Sequence, residues 1–280
     1  MQFCATPLRH ACRRLTATTG LLALIIAAGC GAPNLPLMKQ QKSMSVADVT
    51  AHVAKGGSTP SVLLFNGTGT SSSDVSAVKT ILGDLKLSYA TANSSQLNGM
   101  TVSAMAAYKL FLMPGGNAMT ISKNLKSSTI TNLHNAIVNN GLHYLGICAG
   151  AFFAGDSGIY DYLALTPSGI WFNYYADEFK GIHKEALEIK ASDGSKLDQY
   201  WQDGPQLSGW GSIVGKYPDG TPAIVEGNSG KGWVILCGVH PEAPASWRTG
   251  MTFTTSVATD NAYAETLVTN ALNGTKMSHY

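Results

Sequence analysis

The sequence predicts an α/β domain: a mostly parallel sheet with helices on both faces and antiparallel strands added to it. Three observations lead there. Apolar runs of strand length alternate with segments of helical periodicity up to residue 148. Proline, Gly-Gly or Asn-Gly punctuates these runs. Beyond residue 155 the pattern changes to short strands joined by tight turns such as Asp219-Gly220 and Asn228-Ser229-Gly230.

The elements follow in order. "SVLLFNG", residues 61–67, is a short apolar run that reads as a buried strand. In "TSSSDVSAVKTILGDL", Ser71 to Ser73 offer an N-cap and Asp74 lies in the first turn, where a carboxylate suits the positive end of a helix. Val75, Val78, Ile81, Leu82 and Leu85 then recur at helical spacing. "SYATANS" is a weaker strand, and "YKLFLMPGG" a strand stopped by Pro114 and two glycines. "ISKNLKSSTITNLHNAIVNNG" predicts one helix ending at Asn140-Gly141, and "LHYLGIC" the next strand. "EALEIKA", "SIVGKYP", "PAIVEGN" and "GWVILCGV" read as antiparallel hairpin strands, and "DNAYAETLVTNAL" as a closing amphipathic helix. No internal repeat or second domain is evident.

The N-terminus reads as a targeting segment rather than fold. Arg9, Arg13 and Arg14 precede "LLALIIAAGC", an apolar run too brief to span a bilayer as a stable helix. Ala27-Ala28-Gly29-Cys30 resembles a bacterial lipobox, with cleavage before Cys30 and lipidation of its thiol; Ala27 departs from the leucine common there. Plain export or an uncleaved anchor is the alternative. The expected organisation is a lipoprotein-type signal peptide over 1–29, a tether over 30–58 and one domain over 59–280. The expected location is the bacterial cell envelope, on the periplasmic side of the outer membrane, with membrane contact through the lipid. Only 13% of residues are charged and the formal net charge is +2, so no basic stripe suggests a nucleic-acid partner. With the signal gone and Cys30 acylated, Cys148 and Cys237 remain, free or joined.

Three stretches carry chemistry. Gly146-Ile147-Cys148-Ala149-Gly150 places a cysteine in a G-x-C-x-G pattern at a strand-to-helix junction, the layout of a nucleophile elbow. The bland reading is a buried thiol in a glycine-rich turn. In "CGVHPEAP", His240 and Glu242 are two residues apart, so in an extended segment both point the same way, and the imidazole can sit between carboxylate and thiol. In "MPGGNA", the Gly116 N–H pairs with the Ala149 N–H as a candidate oxyanion hole.

PGG, then GICAG, then HPE on an α/β chain is similar to the class I glutamine amidotransferase-like superfamily. "VLLFNGTGTS", "LFLMPGGNA", "YLGICAGAFFA" and "YWQDGP" resemble the biotin-protein ligase N-terminal domain family, over roughly residues 60 to 245. The resemblance implies a flavodoxin-like sheet and a catalytic triad of Cys148, His240 and Glu242. It leaves Gly115, Asn117, Asp203 and Gly204 as candidate substrate contacts. The ligase activity is not implied, because no adenylate loop or further catalytic domain is evident. The expected function is a cysteine amide hydrolase, amidase- or peptidase-like, acting on a small-molecule or peptide amide. The alternatives are an envelope ligand-binding protein retaining the fold and a glutaminase-type amidotransferase subunit. No cofactor, metal site or partner synthase is expected. The aromatic cluster Trp171, Phe172, Tyr174, Tyr175, Tyr200, Trp201 and Trp210 either lines a pocket or packs on the sheet, and Cys237 reads as a core thiol.

Overall fold

The computed structural model describes residues 50–52, 59–167, 169–177 and 182–280. The signal segment, Cys30 and all of the expected tether except 50–52 lie outside these residues. Chain order runs β1 (Thr50–His52), β2 (Val62–Phe65), α1 (Ser72–Asp84), β3 (Tyr89–Ala92), α2 (Ser94–Leu97), α3 (Val102–Ala106), β4 (Leu110–Met113), α4 (Ala118–Asn124), α5 (Ser127–Val138), β5 (His143–Ile147) and α6 (Ala149–Ala154). It continues with β6 (Asn173–Tyr174), β7 (Lys184–Ala191), β8 (Lys196–Gln202), β9 (Pro205–Gln206), β10 (Ser212–Lys216), β11 (Pro222–Ser229), β12 (Gly232–Cys237) and α7 (Val257–Asn273).

One ten-stranded sheet has the order β1-β3-β2-β4-β5-β12-β11-β10-β7-β8. β3, β2, β4, β5 and β12 are parallel, and the flanking strands are antiparallel. The fold class is as expected, with three differences. β12 was expected in an antiparallel hairpin; it pairs antiparallel with β11 on one side but parallel with β5 on the other. The single helix expected over 121–141 is two, α4 and α5, separated at Leu125 and Lys126, where the backbone turns extended. β1, inside the segment expected as tether, pairs with β3 and so belongs to the sheet. Three residues are too few to show a strand pattern.

Alternation along β4 shows why the sheet is covered on both faces. Leu110 and Leu112 join the cluster that holds Val75, Val78, Ile81 and Leu82 of α1 and Leu267 and Val268 of α7. Phe111 and Met113 join the opposite cluster, with Met105 of α3, Ile121 of α4 and Leu133 and Ile137 of α5. Every residue of β2 and β4 is buried, as strands covered on both faces must be. Each such side chain contributes about 1.5–3 kcal/mol. Among the described residues, no helix is long and apolar enough to cross a membrane.

Parallel pairing decides where the chemistry lies. Met113 is level with Gly146 across β4 and β5, and Cys237 with Ile147 across β12 and β5. The segments after β2, β4, β5 and β12 therefore emerge at the same end of the sheet, at its carboxyl edge. In open α/β sheets ligand sites form there.

Candidate active site

Cys148 follows β5 and precedes α6 with φ 49° and ψ −103°, a left-handed conformation that is strained for a residue with a side chain. Such a residue costs on the order of 1–3 kcal/mol and persists only where its neighbours hold it. Here the Cys148 N–H donates to Cys237 O (2.8 Å), and Cys148 O accepts the N–H groups of Ala151 and Phe152. The glycines around it are required sterically. A Cβ on Gly146 would lie 2.5 Å from Gly150 O, and one on Gly150 would lie 2.1 Å from Met113 O. The elbow expected from G-x-C-x-G is thus present. The Cys148 thiol donates to Gln202 O at 3.6 Å and, although only 6% exposed, lines two cavities.

His240 lies just beyond β12, in a turn closed by the Ala243 N–H on His240 O. Its own N–H donates to Tyr200 O of β8 (2.8 Å), which pins the turn to the edge strand of the sheet. The segment is a turn rather than the extended run expected, yet it brings the two side chains together: His240 Nδ1 lies 2.8 Å from Glu242 Oε1. Cys148 and His240 line one cavity of about 360 Å³.

A third acid completes the cluster. Asp74 Oδ2 is 3.2 Å from the same His240 Nδ1, and Asp74 is buried. Helical reading of Asp74 put it in the first turn of α1 to serve the helix dipole; that turn carries it under the carboxyl edge of the sheet, against the imidazole. Residue type and spacing along α1 gave no signal for this, because the partner is 166 positions away across the sheet (240 − 74). Gly115 makes room for the meeting. A Cβ there would lie 2.3 Å from Asp74 Oδ2 and 2.7 Å from His240 Cε1.

Electrostatics follow from this burial. Burial disfavours a charged imidazole, but the nearby Glu242 and Asp74 carboxylates and the Cys148 sulfur outweigh it, and His240 is raised well above its ordinary value. Glu242 is held up at about 7, by burial first and by the Asp74 charge second, with His240 pulling it down. Asp74 Oδ1 and Glu242 Oε2 are buried without a hydrogen-bond partner among the described residues. Ligand atoms of Asp74, His240 and Glu242 fall within 4.8 Å of one another, close enough to converge on a cation. The 2.8 Å separation of Nδ1 and Oε1 is that of a hydrogen bond, so we read the three as a hydrogen-bonded cluster.

The remaining candidates divide. Gly116, with φ 146°, lines both cavities beside Cys148, and Ala149 opens α6 immediately after the thiol. Asn117 caps α4 through the Thr120 N–H and lines the larger cavity, of about 740 Å³, as does Asp203. Gly204 does not reach either cavity: it packs on Gly238, where a Cβ would lie 1.9 Å from Gly238 O. The aromatic cluster splits likewise. Trp171, Phe172 and Tyr174 line the larger cavity and Tyr200 the smaller, whereas Tyr175 stacks on Tyr217 at 3.9 Å and Trp201 meets Tyr175 edge-on. Trp247, absent from the sequence-based candidates, lies 5.6 Å from the His240 ring. Cys237 is a free core thiol that burial raises to about 12.

Comparison with known proteins bears on the fold. The model of the family described as biotin-protein ligase, N terminal, matches residues 60–162, a span that holds α1, the PGG turn and the cysteine elbow. A pyridoxal 5'-phosphate synthase subunit PdxT from Dehalococcoides mccartyi is 26% identical over 148 residues, which is 49% of this chain and 72% of that protein. A glutamine amidotransferase from Thermotoga maritima has a TM-score of 0.51 at 14% identity, over 75% of this chain and 97% of that one. Another glutamine amidotransferase structure has a TM-score of 0.49 at 17% identity, over 65% and 90% of the two chains. The chain thus shares the α/β fold of the Thermotoga maritima glutamine amidotransferase. The expectation of no partner synthase has a counterexample among the relatives, since PdxT is a synthase subunit.

Proposed function

We propose that the protein is a cysteine-dependent amide hydrolase of the bacterial cell envelope. The observation that carries this reading is the shared cavity: a thiol on a strained elbow and an imidazole tied at Nδ1 to a carboxylate face the same space. In the proposed reaction the Cys148 thiol passes its proton to His240 Nε2 as Sγ attacks the carbonyl carbon, and the Gly116 and Ala149 N–H groups hold the oxyanion. His240, its charge stabilised by the two carboxylates around its Nδ1, gives its Nε2 proton to the departing amine as the C–N bond breaks. Nε2 then takes a proton from water, whose oxygen attacks the thioester, and returns it to Sγ as the C–S bond breaks, which releases the acid and the thiol. Glu242 and Asp74 hold the ring and offset its charge. Loss of one oxyanion donor costs on the order of 100- to 1000-fold in rate.

Alkylation of the intact chain tests this reading. Cys148 is expected to react with iodoacetamide at least about 100-fold faster than Cys237, whose thiol is raised to about 12 and fully buried. H240A should abolish that advantage. An unreactive Cys148 in a folded chain would leave the ligand-binding alternative. A second reading, a glutaminase-type subunit that passes ammonia to a synthase, is favoured by the similarity to PdxT. Ammonia release from free glutamine, increased by a co-purified synthase, would select it. The envelope location is supported by the lipobox-like sequence at Cys30. It predicts that C30S loses incorporation of labelled fatty acid.

A further inference from the structure

We propose that the two cavities divide the substrate at its scissile bond, the larger taking a bulky uncharged acyl group and the smaller a leaving amine that bears a carboxylate, met by Lys184. The proposal rests on the hydrolase reading and adds orientation and substrate class to it. Ser71, Gly116, Cys148 and Gln202 line both cavities, so the bond under attack lies where they join. His240 lines only the smaller cavity. The group that receives its proton must depart beside it, which puts the amine on that side and the acyl group on the other.

The walls differ in chemistry. The larger cavity presents six aromatic rings, among them Trp171 at 62% exposure, beside hydroxyl and amide side chains. Among the described residues, no lysine, arginine or histidine lines it. Its two acids are already engaged: Asp156 accepts the Ser157 and Gly169 N–H groups, and Asp203 accepts the His183 N–H and lies 3.7 Å from His183 Nδ1. An anionic acyl group would face two carboxylates and no cation there, whereas a flat uncharged group gains aromatic contact. The smaller cavity holds one acid, Asp74, which faces His240, and two cationic groups, His240 itself and Lys184, exposed at the start of β7 opposite Gln202. Among the described residues its ammonium joins no ion pair. An amino acid or peptide amine leaving from Cys148 would carry its carboxylate toward that ammonium.

Binding to full-length C148A tests the inference without any chemistry. The probes are 2-naphthoyl-glycyl-alanine, its C-terminal amide, and succinyl-glycyl-alanine, followed by calorimetry and tryptophan fluorescence. The naphthoyl acid should bind about 3- to 5-fold tighter than its amide, the range of an exposed ion pair. K184M in the C148A background should erase that ratio without lowering Tm. The succinyl peptide should bind most weakly. Equal binding of acid and amide, or a preference that survives K184M, overturns the proposal. Turnover by the unmodified chain is scored separately: cleavage without the carboxylate preference sinks this inference alone, and the preference without cleavage sinks the hydrolase reading alone.

Discussion

Asp74 Oδ2 lies 3.2 Å from His240 Nδ1, on the nitrogen that Glu242 also approaches, at 2.8 Å. One N–H faces two buried acceptors. The second carboxylate deepens the negative potential around the ring and favours imidazolium. D74N keeps the shape and removes the charge. We expect the rate of Cys148 alkylation at neutral pH to fall on the order of 10- to 100-fold, the worth of one charge-assisted hydrogen bond. An unchanged rate in D74N would make Asp74 a structural acid with no part in the chemistry.

Gly115 is a steric gate for the same contact. A Cβ there would overlap both Asp74 and His240, at 2.3 Å and 2.7 Å. G115A should displace the imidazole and lower reactivity by about 100-fold, as a 1 Å misplacement of a catalytic group typically does. Circular dichroism should still show the native fold. The comparison of interest is with D74N: if G115A acts through Asp74 and His240, the double variant is less than additive.

The buried acids make stability depend on pH in one direction. Glu242, at about 7, and Asp260, raised to about 6 chiefly by burial, hold their protons more tightly in the folded chain than in the unfolded one. His240, raised well above 6.5 despite burial by its two carboxylates and Cys148, does the same. Stability from such groups is complete below the unfolded value and is lost as pH rises through the folded one. The loss runs from 3.8 to about 6 for Asp260, from 4.5 to about 7 for Glu242, and above 6.5 for His240. Tm should therefore fall between about pH 5 and 8. E242Q should remove up to about 3 kcal/mol of that slope. Parallel melting curves for E242Q and the unmodified chain would contradict this.

Arg248 ties the loop behind the smaller cavity to α7. Its guanidinium pairs with Asp260 and donates to Thr255 O (3.0 Å), while Trp247 and Thr249 beside it line the cavity. R248M leaves the buried Asp260 uncompensated and should cost about 3 kcal/mol by urea titration. D260N together with R248M should recover part of that loss, because the charge left unpaired is gone.

Much of the site was legible because it is local. G-x-C-x-G announces an elbow through its own glycines, and the structure gives the reason in contacts with Gly150 O and Met113 O. His240 and Glu242 are two residues apart, so a turn or a strand could join them. Asp74, Trp247 and Lys184 were not legible as site residues. Each is an ordinary residue in its own element, and what makes it notable is a neighbour brought by the sheet. The break between α4 and α5 and strand β1 were missed for a similar reason: two extended residues, Leu125 and Lys126, and a three-residue strand leave no period to read.

By itself, then, the chain's amino-acid order determined the alternation of strands and helices, the cysteine elbow and the paired His-Pro-Glu segment, since each follows from propensity and spacing within a few residues. Tertiary structure alone decided that β12 lies parallel to β5, which puts Cys148 and His240 at one end of the sheet, and that α1 delivers Asp74 to the same imidazole. Those outcomes depend on strand order, which is set by how both faces of a ten-stranded sheet are covered at once. No window along the chain contains that information.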